Sequence, residues 1–158
     1  MRDRGRGQQG VTYLEMVATA AIVMILASAI LPLTRVTRQR QREIELHRSL
    51  RELRRAIDDY KDAVEKGKIG GPDVKLGSEG YPPDLDVLVE GVNQVGSAGK
   101  KLRFLRRIPV DPLTHAQEWG KRCYQDKPDS TSWCGQNVYD VYTTHEGKAL
   151  DGTNYQDW

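Results

Sequence analysis

Residues 11–33 read VTYLEMVATAAIVMILASAILPL, an apolar run interrupted by one charge, Glu15. No other feature restricts the fold as much. On a helix rising ~1.5 Å per residue the run reaches roughly 34 Å, enough to cross a bilayer. A cleaved secretory signal fits less well, because its apolar region usually covers about 7–15 residues and ends at a small-residue cut site. A plain signal anchor matches the length but leaves Glu15 unexplained. An ionised carboxylate in lipid is unfavourable by ~3 kcal/mol on insertion scales, somewhat less near the end of a span. Glu15 is therefore a functional candidate, and its partner is the question.

The remaining sequence limits what the run can be attached to. Of 35 Leu, Ile, Val and Phe, ten fall within residues 11–33, so apolar residues are sparse in the other part of the chain. This excludes a large enzyme core and leaves room for a small stapled domain. Lys and Arg number 24 against 22 Asp and Glu, and the excess lies in residues 1–10, which hold three Arg and one Asp. A nucleic-acid binder driven by overall basicity is disfavoured.

Residues 1–10 (MRDRGRGQQG) are short, polar and basic, and Gly10 directly precedes the apolar run. Cutting after Gly10 would create a new α-amine on Val11, close in sequence to Glu15. When such helices pack with an axial stagger, the carboxylate of one can meet the ammonium of its neighbour. That pairing neutralises two buried charges and sets register. Ala18, Ala20, Ala21, Ala27, Ser28 and Ala29 permit close helix approach. Gly10, a hydrophobic residue, Thr12, two more apolar residues and Glu15 together resemble the class III signal of type IV pilins and type II secretion pseudopilins. Pro32 falls where many of these proteins carry a helix-kinking proline, whereas Val11 departs from their usual first-position phenylalanine. The resemblance implies cleavage after Gly10 by prepilin peptidase, N-methylation of Val11, and assembly roles for Glu15 and Pro32. Charge counting argues for the opposite orientation. Three Arg precede the run, and Arg35, Arg38, Arg40, Arg42 and Arg48 follow it, which would leave the C-terminal part in the cytoplasm. The resemblance implies a single-pass inner-membrane protein with its C-terminal domain in the periplasm.

Beyond Pro32 the pattern turns amphipathic. Leu46, Leu50, Leu53, Ile57, Tyr60 and Val64 form one stripe at helical spacing, and Gly67, Gly70, Gly71 and Pro72 end it. One helix from Val11 to about Lys66, roughly 80 Å long, is expected. The stripe packs against the chain's own C-terminal domain or, in a second reading, against a coiled-coil partner; it spans under three heptads. The Arg run along this helix reads as a solvated or subunit-facing surface.

Residues 68–80 read as a loop, 83–90 as a short helix with Leu85, Leu88 and Val89 inward, and 102–107 and 138–143 as strands. Seven aromatics in the last 40 residues, among them Trp119, Tyr142 and Trp158, can compensate for the aliphatic shortage. The segments Tyr81-Pro82, LRRIPVDPL (105–113), YDVYT (139–143) and the final Trp158 are similar to the major, G-type pseudopilin. In that family a RIP-x-DP turn joins the helical part to a small antiparallel sheet lying on the long helix. The same resemblance implies a calcium loop after the YDVYT strand. Glu146, Asp151, Asn154 and Asp157 offer hard oxygen ligands there, although Lys148 and His145 are poor company for an ion and Asp151-Gly152 is also a common turn. Cys123 and Cys134 read as a disulfide outside the cytoplasm, closing a loop of turn formers. The alternative is a zinc site with His115 and His145, without the Cys-x-x-Cys pairing such sites favour. No Gly-x-Ser-x-Gly motif occurs, and no enzyme is expected.

The expected architecture is α+β and pilin-like, with leader 1–10, filament-core helix 11–33, amphipathic continuation 34–66 and periplasmic domain 67–158. The resemblance implies a structural subunit of a helical pseudopilus that drives export of folded proteins across the outer membrane. Its partners would be further copies of itself, prepilin peptidase, minor pseudopilins and the inner-membrane assembly platform, with no nucleic acid. The alternatives are a surface type IV pilus subunit and a bitopic, non-filamentous binding module.

Overall fold

The computed structural model describes residues 11–70, 74, 77–97 and 99–158, with the side chains of 29–33 not described. Helix α1 runs from Tyr13 to Glu65, 53 residues. Its start has a chemical cause that the sequence reading overlooked. Thr12 is the N-cap, its hydroxyl accepting the Glu15 N–H at 3.3 Å, in a Thr-x-x-Glu arrangement that suits a capping box. Its end is a Schellman turn. Gly67 at φ 65° lets its own N–H reach Val64 O (2.9 Å) and the Lys68 N–H reach Ala63 O (2.9 Å).

The chain divides into two compact units, residues 1–39 and 40–158. The second unit holds the core. Leu46, Leu53, Ile57 and Tyr60 are completely buried, Leu50 is almost so, and Val64 packs against the same cluster half-buried. The helical stripe is thus covered by the chain's own C-terminal residues. Each of these side chains stabilises the fold by about 2 kcal/mol relative to exposure.

Against the stripe lie Leu85, Leu88, Val92, Leu105, Trp119, Val138, Val141 and Tyr155. Helix α2 is shorter than expected, Asp86–Glu90, with Leu88 buried and its carbonyl accepting both Phe104 N–H (3.0 Å) and Leu105 N–H (2.9 Å). The strand expected over 102–107 is confined to its start. Strand β2, Lys101–Leu102, pairs antiparallel with β1, Val92–Asn93, and the next residues leave the ladder to bond to Leu88 instead.

A second antiparallel pair joins β3, Gly120–Arg122, to β4, Asp140–Tyr142. Among the described residues there are accordingly two two-stranded ladders in place of the single small sheet expected. The fold class, α+β with a long helix and small antiparallel sheets, stands. Strand β3 was hidden by Gly120, which weakens strand propensity. The glycine is there because a Cβ would lie 2.3 Å from the Tyr142 ring across the ladder.

The alternation expected on β4 is also modified. Val138, Val141 and Tyr142 are all buried, so both faces of this strand are covered. The LRRIPVDPL block closes the region. Asp111 is fully buried, its Oδ1 accepting the Leu113 N–H (2.7 Å) and its Oδ2 the Thr143 hydroxyl, which ties the turn to the end of β4.

Candidate assembly site

In the N-terminal unit the large apolar side chains of α1 face outward. Tyr13 is 86% exposed, Leu14 78% and Ile25 70%, and Met16, Ile22, Val23, Met24 and Leu26 follow suit. An apolar helix surface exposed on all sides is driven to find other apolar matter, lipid or further helices, with no preferred direction. Its hydroxyls suit such surroundings. Thr19 Oγ1 donates to Met16 O (3.0 Å) and Ser28 Oγ to Ile25 O (2.7 Å), so neither needs water. Ala18, Ala20, Ala21 and Ala27 are exposed between the large residues and leave room for a neighbouring backbone.

Among the described residues no helix is long and apolar enough to cross a membrane. The stretch that completes the apolar run, 29–33 with Pro32, has side chains outside the described residues, as do all of residues 1–10, including Gly10. Val11, the expected first mature residue, lies in the exposed N-terminal turn, just ahead of the helix. The Glu15 carboxylate has no hydrogen-bond or ion-pair partner among the described residues, while its backbone N–H donates to the Thr12 hydroxyl. One turn of apolar helix therefore carries a charge that no other described residue compensates.

No family model, curated protein or solved structure matches this chain. Its chemistry has to be read from its own geometry.

In the C-terminal unit Cys123 and Cys134 form a disulfide with Cα atoms 5.9 Å apart. Their sulfurs and an Asp126 carboxylate oxygen lie within 4.8 Å of one another. Both sulfurs are bonded to each other, however, and Asp126 Oδ2 accepts the Cys123 N–H at 2.7 Å, so this cluster is a stapled turn. Neither His115 nor His145 joins it, which removes the zinc alternative. Trp133 Nε1 donates to Asn137 O, and the Asn137 side chain accepts from Tyr124 N–H, so the bridged loop is fastened to the residues entering β4.

The residues expected to hold calcium do not converge. Among the described residues Glu146, Asp151 and Asp157 form no acidic cluster close enough to share an ion. Asp151 Oδ1 accepts both the Thr153 hydroxyl (2.7 Å) and the Thr153 N–H (2.9 Å). Those bonds, the hydroxyl first, hold its carboxyl below the usual aspartate range. Asn154 Nδ2 donates to Asp157 Oδ2 at 2.9 Å. In this arrangement Asp151, Asn154 and Asp157 are engaged in hydrogen bonds within the segment.

The helix fastens that turn instead. Glu43 Oε1 accepts from Leu150 N–H (3.0 Å) and the Tyr155 hydroxyl (2.8 Å), and the His47 ring stacks on Trp158 at 4.0 Å. Arg54 reaches Asp140 (2.7 Å), Val141 O and Trp158 O. Arg122, almost buried, spans Ser130 O (2.9 Å), Asp140 (3.3 Å) and Gln156 O (2.9 Å) over the Tyr142 ring. Sequence reading missed this Arg54–Asp140–Arg122 group. The one available signal was Asp140, an acid placed between the buried positions of a strand.

Proposed function

We propose that this chain is a structural subunit of a helical, pilin-like filament, in the manner of a major pseudopilus subunit of type II secretion. The observation that carries the reading is the apolar surface of α1, exposed on all sides and bearing Glu15 without a partner among the described residues, on a chain whose other unit closes its own core. A subunit built this way binds its copies through the apolar helix and displays a finished domain outward. Glu15 then serves as the docking charge. Paired with the α-amine of Val11 on an adjoining copy it sheds most of its desolvation penalty, and unpaired it opposes insertion at the wrong height. The disulfide suits a domain that works in an oxidising compartment, and the α+β architecture with small antiparallel ladders is compatible with a pilin-like fold.

Glu15→Ala tests the mechanism. Membrane accumulation should be normal and polymerisation lost; unchanged assembly would refute the charge-pairing role. Mass spectrometry of the mature protein should give a chain beginning at N-methylated Val11, and an intact Met1 would contradict processing by prepilin peptidase. Gene neighbourhood and the presence or absence of filaments outside the cell separate the secretion reading from a surface pilus.

A further inference from the structure

Two adjoining cavities of about 610 Å³ each run along one flank of α1, between the helix and residues 104–117, and share Arg48, Glu52 and Arg107. Five arginines line them: Arg48, Arg51 and Arg55 from the helix, Arg106 and Arg107 from the chain opposite. All five are exposed, and none has an ion-pair partner among the described residues. Glu45, Glu52 and Asp59 are the acids in the same groove, so it keeps an excess of two positive charges. Its floor is partly apolar, with Ile44 61% and Val110 48% exposed.

The opposite flank has the opposite character. Glu45, Ser49, Glu52 and Ala56 line the groove and directly precede the buried Leu46, Leu50, Leu53 and Ile57. His47 and Arg54, which directly follow Leu46 and Leu53, hold the C-terminal segment together with Glu43. At about 100° per residue, Glu45, Ser49, Glu52 and Ala56 fall on one side of the stripe and His47 and Arg54 on the other, with Arg48, Arg51 and Arg55 on the helix face away from it. Residues 144–158 carry Glu146, Asp151 and Asp157 against Lys148, an excess of two negative charges with histidine neutral. All three acids are exposed.

We infer that the arginine groove of one copy receives the acidic C-terminal segment of the next copy. The inference deepens the filament reading and rests on it. Patches that match each other from opposite flanks make a heterologous, head-to-tail contact, and such contacts propagate into open helices rather than closing into dimers. The excess charges are equal and opposite, and exposed guanidinium groups pair well with carboxylates in a planar fork. Ile44 and Val110 add apolar contact at the centre of the site.

The test uses the full-length chain in membranes. Arg51→Glu with Arg55→Glu should reduce polymer at least tenfold, and so should Glu146→Lys with Asp157→Lys. Combining both pairs should restore assembly to near the wild-type level. An intact Cys123–Cys134 bridge and an unchanged melting temperature show that each variant is folded. Independently, Arg51→Cys with Glu146→Cys should give intermolecular cross-links on mild oxidation. Polymer that forms without this cross-link and tolerates each reversal overturns the contact while the filament reading stands. Cross-linking without any filament supports the contact and removes the filament. The absence of both overturns both.

Discussion

Arg122→Met probes the part of the C-terminal unit that sequence reading did not anticipate. The arginine side chain is 6% exposed and makes three hydrogen bonds, to Ser130 O, Gln156 O and Asp140, and its guanidinium lies 4.1 Å from the Tyr142 ring centre. Methionine keeps the stem's packing but removes every donor. Asp140 retains Arg54, so its charge is not stranded. Two carbonyls that now accept from a cation lose it at a nearly buried site. Breaking a buried charged group out of its network costs about 3 to 5 kcal/mol, and the surviving Arg54 contact argues for the lower end, about 3 kcal/mol. For a unit of this size such a loss lowers the melting temperature by ~10 °C. Arg54→Met is the internal control, because that side chain is 37% exposed and water can replace much of what it supplies. It should cost about 1 kcal/mol. Thermal unfolding followed by near-ultraviolet circular dichroism, with the disulfide intact, measures both. If Arg122→Met melts within ~3 °C of the native protein, or if Arg54→Met is the more damaging change, the reasoning from burial is wrong.

Two further outcomes follow from the architecture. Replacing Cys123 and Cys134 together by alanine reopens a loop with a sequence separation of 11 and should destabilise the unit by about 3 kcal/mol on the chain-entropy model, read as a shift in the urea midpoint. A loss below ~1 kcal/mol would mean that the Asn137 contacts alone hold the loop. Every buried apolar residue described lies at Leu46 or later, so a chain beginning at Arg40 should fold alone and melt within a few degrees of the full-length protein; an unfolded fragment would show that the apolar helix supports the core.

The helix was legible because its signals are local and repeated. Five stripe positions from Leu46 to Tyr60 are buried, and the glycine at position 67 stops the helix through a turn that only a positive φ allows. The disulfide was legible as one of two readings, and the bonded sulfurs decide between them. The strands were less legible. They are two or three residues long, too short for alternation to register, and β3 begins with a glycine selected by the approach of the Tyr142 ring rather than by strand propensity. Arg54, Asp140 and Arg122 are far apart in sequence, and nothing in their local surroundings marks them as partners. Glu15 was legible as an anomaly, whereas the Thr12 cap was not, because Thr12 lies inside an apolar run that carries no break at the helix start.

The fate of the C-terminal acids ties these elements together. A loop that needed calcium to be ordered would present converging oxygens and little else to hold it. Here the loop is held by Glu43 through two hydrogen bonds, by His47 against Trp158 and by Arg54 at Trp158 O, all from α1. Order therefore comes in large part from the helix, and Glu146, Asp151 and Asp157 stay exposed. Asp151 keeps its charge well into acid because Thr153 hydrogen-bonds to it, and this favourable contribution is lost only as pH falls through its lowered pKa. Exposed on the surface, these acids are accessible to a basic partner surface. One such basic surface is the arginine groove along the same helix, whose five arginines have no ion-pair partner among the described residues. One helix thus lines the arginine groove and holds the acidic segment, the two halves of the copy-to-copy contact proposed above.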